Sequence, residues 1–119
     1  MSLKITRIEK NDSGSSEYIM FIAEEDLLLS NYAVIDTTYI NGQVSNLNRH
    51  FYRFPTKIVK KGEYVILYTQ KGKDFLGKTN MGLICHYFYW GLAKEILNNN
   101  EVESIQVLRV QTVSTKKAA

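Results

Sequence analysis

The sequence predicts an all-β protein, a β-sandwich or barrel of about seven to nine strands. Three observations carry that expectation. Short runs rich in Val, Ile, Tyr and Phe recur along the chain, separated by polar or glycine-containing turns. Eight tyrosines and five phenylalanines stand against a single proline, a supply of β-formers with little linker material. No segment sustains a helical period, and only Leu83–Leu97 can be forced into one. An α/β fold would need such segments between its strands.

A chain of 119 residues fits one domain with room for its own core. Residues 1–113 are expected to form it, with 114–119 as a frayed tail. The chain is organised around Lys60–Gln70. A charged turn containing Gly62 launches a strand with Val65, Leu67 and Thr69 on one face and Tyr64, Ile66, Tyr68 and Gln70 on the other. A strand apolar on both faces is usually central and covered on both sides.

The other elements follow in order. Leu3–Lys10 alternates loosely and ends in the polar stretch Asn11–Ser16, a turn or mobile loop. Glu17–Ala23 is a second strand apolar on both faces, and Glu24-Glu25-Asp26 a solvated acidic turn. Leu27–Leu29 resumes the apolar pattern, and Asn31–Asp36 makes a short strand around Tyr32 and Val34. Thr37–Ile40 leads into Asn41-Gly42, the strongest hairpin signal in the chain. Gln43–Asn48 returns weakly, and Arg49–Phe54 closes at Pro55, which suits a strand end or edge. Lys71–Gly82, with Gly72, Gly77 and Gly82, is expected to be a long loop. Leu83–Trp90 is a third two-faced strand, Gly91–Leu97 a helical turn or loop, and Asn98–Asn100 a turn. Ser104–Val113 is the last strand, and the slip in its alternation between Val107 and Leu108 suggests a bulge.

Net charge is +3, distributed unevenly. Residues 1–36 hold three basic and seven acidic side chains, and residues 37–80 hold eight basic and two acidic. The single Cys85 excludes an internal disulfide. The N-terminal residues carry no secretory signal and no apolar run approaches spanning length, so neither export nor a membrane is expected, and a reducing cytoplasm fits. An exported protein whose signal had been removed would look the same.

The order of several segments resembles the lamin-tail domains. Glu17-Tyr18-Ile19 leads through an acidic turn to Leu29-Ser30-Asn31-Tyr32-Ala33-Val34-Ile35-Asp36, similar to that family's opening. Phe54-Pro55, then Lys61–Tyr68, looks like its middle segment. Tyr89-Trp90-Gly91-Leu92 and Asn98-Asn99 look like its late segment, although Leu97 stands where a tryptophan often does. The resemblance covers residues 17–110. It implies an immunoglobulin-like β-sandwich and a non-catalytic role, engaging proteins or nucleic acid.

Four sets of residues invite a functional reading. Gly72-Lys73-Asp74-Phe75-Leu76-Gly77-Lys78-Thr79 satisfies the P-loop pattern, in which backbone N–H groups cradle phosphates. Its context opposes nucleotide binding: Asn80-Met81-Gly82 starts a helix poorly, and bulky Phe75 and Leu76 sit where close backbone approach wants small residues. Arg49, Phe51 and Arg53, with Lys57, Lys60 and Lys61, form a basic segment with interleaved aromatics, suited to phosphates and bases or simply to guarding a sheet edge. His50, Cys85 and His86 are weighed as metal ligands, but adjacent strand residues point to opposite faces. No nucleophile–base spacing and no paired carboxylates stand out, so no catalytic residue, metal or cofactor is expected. Tyr18, Tyr68, Tyr87 and Tyr89 fall on two-faced strands and suit a partner or dimer surface. The leading expectation is a binding or assembly module for protein, and the alternative is nucleic-acid binding through residues 49–61.

Overall fold

The computed structural model describes residues 2–10, 17–40, 43–93, 96–97 and 103–118, with the backbone alone at 37–40, 43–49 and 103. The protein is all-β. Among the described residues ten strands occur: β1 (Leu3–Glu9), β2 (Tyr18–Ala23), β3 (Leu27–Leu28), β4 (Tyr32–Ile40), β5 (Gln43–Arg53), β6 (Ile58–Val59), β7 (Tyr64–Tyr68), β8 (Phe75–Lys78), β9 (Ile84–Tyr89) and β10 (Glu103–Arg109). A 3₁₀ turn, Leu29–Asn31, joins β3 to β4.

Two sheets face each other across one core. The larger runs β1-β2-β7-β9-β8, and the smaller runs β10-β4-β5. The two-residue strands β3 and β6 pair beside them. From the larger sheet, Ile19, Phe21, Ala23, Val65, Leu67 and Phe88 point inward; from the smaller, Tyr32 and Val34 meet them, with Leu29 and Val59 at the side. Each inward set has the period of two that a strand imposes.

The strand β7 is central, as its pattern predicts, with β2 antiparallel on one side and β9 parallel on the other. Gly62 turns the chain into it at φ +88°, a region that disfavours side chains with a Cβ. The turn is tied down twice: Gly62 N–H donates to Ala23 C=O, and Lys61 N–H donates to Asp26. The outer face of β7 carries no second layer of described chain. Its residues are covered by one another, because tyrosines tolerate half-exposure.

Phe54 joins the two sheets. Its N–H donates to Tyr32 C=O, and its buried ring meets Phe21 at 5.7 Å, Phe88 at 5.4 Å and Tyr52 at 5.2 Å, edge to face each time. Pro55 follows directly after this end of β5, where the missing N–H costs no ladder bond.

Several expectations need correction. Lys71–Gly82 is not one loop, because Phe75–Lys78 is strand β8, paired antiparallel with β9. Its glycines permit close approach: a methyl on Gly77 would come within 3.0 Å of the Tyr87 ring, and one on Gly72 within 2.3 Å of Tyr89. β5 is a single long strand rather than two pieces, with register shifts opposite Asp36, Thr37 and Tyr39. β10 pairs with β4 without a bulge: Val107 packs on the core, while Leu108 opposes Ala33 on the outer face. An edge strand half-exposed on both faces tolerates apolar residues on each, so the slip in alternation needed no extra residue. The residues of Gly91–Leu97 that are described contain no helix. Ile40 pairs with Gln43 where β4 ends and β5 begins. The turns expected at Asn11–Ser16, Asn41-Gly42 and Asn98–Asn100 lie outside the described residues.

Candidate functional site

Tyr18, Tyr68, Tyr87 and Tyr89, the four tyrosines expected to suit an interface, come together on the outer face of the five-stranded sheet. Strand register sets them in rows. Tyr18, Tyr68 and Tyr89 lie opposite one another on β2, β7 and β9. Met20, Ile66, Tyr87 and Phe75 form the next row, and Ile22, Tyr64, Cys85 and Gly77 the third. At the β1 margin Lys4 opposes Ile22, and the ion-paired Arg7 and Glu9 end the other two rows.

The rings stack on their neighbours along the sheet. Phe75 and Tyr87 have centroids 4.4 Å apart and planes 7° apart; Tyr68 and Tyr89 are at 5.1 Å and 15°. Nearly parallel rings this close must lie face to face, since side by side they would overlap. Tyr18 meets Tyr68 edge-on at 5.6 Å, and Gly72 lies against Tyr89. The faces that a base or a sugar ring would need are therefore largely spent within the sheet. What remains toward solvent is a surface of ring edges, hydroxyls and aliphatic side chains.

Electrostatics keep this surface neutral. Burial raises the Tyr68 hydroxyl above its usual range, with Tyr89 and Tyr18 adding to it. Burial and the neighbouring Cys85 push Tyr87 up to about 12. Both phenols stay protonated at any physiological pH, able to donate as well as accept a hydrogen bond. Cys85 is buried beneath the rings, and that burial raises its thiol, so it is a poor nucleophile.

The basic segment is split over several elements. Phe51 and Arg53 are exposed on the outer face of the smaller sheet, Phe51 by 56%. The Arg53 guanidinium donates to Ser30 C=O and Thr112 Oγ1, so it already has partners. Arg49 lies on β5, and its side chain is outside the described residues. Lys57 is exposed before β6; Lys60 and Lys61 occupy the turn before β7, where Lys60 Nζ lies 3.6 Å from Asp26.

The P-loop-like segment is a strand rather than a phosphate-cradling loop, and the chain after Thr79 turns through Gly82 into β9, not into a helix. A cleft of about 230 Å³ beside β8, lined by Pro55, Lys57, Asp74, Leu76 and His86 among others, falls below the roughly 300 Å³ at which ligand pockets begin. Cys85 lies in the row of Tyr64, and His86 in that of Val65, on opposite faces of β9. His50 is on β5 against Asp36. Among the described residues no three His, Cys, Asp or Glu converge on a metal position.

Sequence reasoning missed three polar anchors, Glu17 and Asp36 buried and Glu63 partly so. The Glu17 carboxylate, 2% exposed, accepts from Thr69 Oγ1 at 2.7 Å, Ile96 N–H at 2.6 Å and Leu97 N–H at 3.0 Å. It thereby docks a segment far along the chain whose side chains enter the core. Asp36 is fully buried, 3.0 Å from His50 Nδ1, and the His50 ring stands edge-on to Trp90. Glu63 lies 2.9 Å from His86 Nε2 and accepts from Lys60 N–H. Burial opposes its charge, but the His86 and Lys60 contacts outweigh that and hold its carboxyl below the usual range. The available signal was an acidic residue at an inward phase of a strand pattern, which names a buried carboxylate without naming its partner.

No helix among the described residues is long and apolar enough to cross a membrane. No family model, curated protein or solved structure matches the chain.

Proposed function

We propose that this protein is a non-catalytic binding module whose tyrosine-lined sheet face docks another protein. One observation carries the reading. The sheet gathers Tyr18, Tyr68, Tyr87 and Tyr89 with Met20, Ile22, Ile66 and Phe75 on a single face that no described element covers. Large amphipathic rings held rigid by mutual stacking lose little conformational entropy on binding, which is what makes tyrosine a frequent interface anchor. Protein surfaces use ring edges and hydroxyls, whereas nucleic acids and sugars want exposed ring faces. The resemblance to lamin-tail domains points the same way.

Photo-crosslinking tests it. A crosslinking amino acid replaces Tyr18 or Tyr87 on the proposed face, or Phe51 on the opposite sheet, in cells that carry the protein. The expected result is one discrete protein captured from both tyrosine positions and not from position 51. The affinity of that purified partner should then fall at least tenfold with Tyr68→Ala, while thermal unfolding stays cooperative. Capture of nucleic acid alone, or the same pattern from all three positions, overturns the reading.

A further inference from the structure

The two margins of the five-stranded sheet differ. Strand β1 carries Lys4, Arg7 and Glu9 and a register shift between Ile5 and Arg7, devices that discourage edge-to-edge pairing. Strand β8 reads Phe-Leu-Gly-Lys, pairs in even register with β9, and has no described strand on its other side. Phe75 is 51% and Leu76 58% exposed, and Met81, Leu83 and Ile84 of the same hairpin are exposed as well. Half of the large exposed hydrophobic residues described thus fall within ten consecutive positions of the chain.

The direction of the free hydrogen-bonding groups follows from the ladder. Tyr89 N–H donates to Asp74 Oδ1 and Thr79 N–H donates to Leu83 C=O, whereas Trp90 N–H points the other way, to Tyr68 C=O. The odd-numbered residues of β8 therefore face β9, and Asp74, Leu76 and Lys78 present their N–H and C=O groups outward. One antiparallel register uses all three at once: Leu76 opposite Leu76 of a second copy, with a twofold axis between them. Two consequences come without adjustment. Asp74 falls opposite Lys78 of the second copy, twice by symmetry, and Phe75 falls opposite Gly77, which leaves Leu76 against Leu76 as the one directly opposed pair of large side chains. Strand self-pairing about a twofold is the isologous arrangement that closes rather than propagates.

We infer that β8 is a self-association edge, through which two copies pair antiparallel over Asp74–Lys78 about Leu76 to form one ten-stranded sheet. This rests on the edge strand and not on the tyrosine face.

The test is sedimentation equilibrium of the full chain with amide hydrogen exchange over the same concentrations. The expected species is a dimer, twice 13.7 kDa. The Leu76 and Lys78 amides should become protected as concentration rises. Leu76→Pro removes an N–H that faces outward and leaves the bonds to β9 intact, so dimerisation should weaken at least a hundredfold while thermal unfolding stays cooperative. Leu76→Arg, which opposes like charges across the axis, should do the same and serves if the proline variant fails to fold. Lys78→Glu should weaken association about tenfold by setting an acid against Asp74. A 13.7 kDa monomer at every concentration overturns the inference. So does a dimer that survives both Leu76 variants, or one lost with Tyr68→Ala and not with Leu76→Pro.

Discussion

At the scale of single residues, the most consequential side chains are buried acids. Glu17 spends its carboxylate on one hydroxyl and two backbone N–H groups. Glu17→Ala leaves three donors unmet, for a loss of about 3 kcal/mol by urea unfolding. Glu17→Gln keeps one acceptor oxygen but turns an amide NH₂ toward the neighbouring donors, so about half of that loss is expected. Faster exchange of the Leu97 amide should accompany both. Glu63 makes a pH-dependent contribution whose sign is determined. Its carboxyl is held below the ordinary value of 4.5, so the folded state binds the proton less readily than the unfolded chain. That stability is fully present above the unfolded pKa and lost as pH falls through the depressed folded one. The stability gap between the wild type and Glu63→Gln should therefore be widest near neutrality and close below about pH 4, read by urea midpoints across that range. A gap that does not narrow in acid removes the proposed role for the carboxylate.

At the scale of elements, period-two patterning reached far. It separated Val65 and Leu67 from Tyr64, Ile66 and Tyr68 and offered Tyr18, Tyr68, Tyr87 and Tyr89 for a surface, because alternation is imposed by the backbone and needs no knowledge of neighbours; the structure turns Val65, Leu67, Ile19 and Phe21 inward and sets the four tyrosines on the outer face. The patterning failed at β8. Three glycines in twelve residues signal a loop, yet here two of them make room for aromatic rings on the next strand. Glycine's meaning depends on what approaches it, and that is long-range information. The same holds for Glu17, whose partners at 96–97 are some 80 positions away, and for Arg53, bound to Ser30 and Thr112. A prediction follows for the tyrosine face. A methyl on Gly72 would meet three Tyr89 ring carbons between 2.3 and 2.6 Å. Gly72→Ala should expel that ring from its stack on Tyr68, altering the near-ultraviolet circular dichroism at a stability cost of about 1–2 kcal/mol. An unchanged aromatic signal would mean the loop, not the ring, gives way.

At the scale of the molecule, the two sheets share their contacts, and they are expected to unfold as one cooperative unit. Phe54 stands at the end of β5 in the smaller sheet and touches Phe21 and Phe88 in the larger. β3 and β6 bring Leu27 and Val59 into the same cluster from neither of the main sheets. The parallel contact of β7 with β9 requires a crossover through β8, and β10 returns from the end of the chain to cover β4. Such non-local pairing implies folding in milliseconds to seconds rather than microseconds, roughly the range of all-β sandwiches. Phe54→Ala tests the cooperativity. Removing a buried phenyl ring with three aromatic neighbours should cost about 3–5 kcal/mol. If the sheets unfold together, that loss appears as a lower denaturant midpoint with an unchanged slope, and amide protection falls by one common factor in β2, β4, β7 and β9. A variant that loses protection in β4 and β5 while β2 and β7 stay at the wild-type level would show instead that the larger sheet stands without the smaller. Its tyrosine-lined outer face would then be held by that sheet alone.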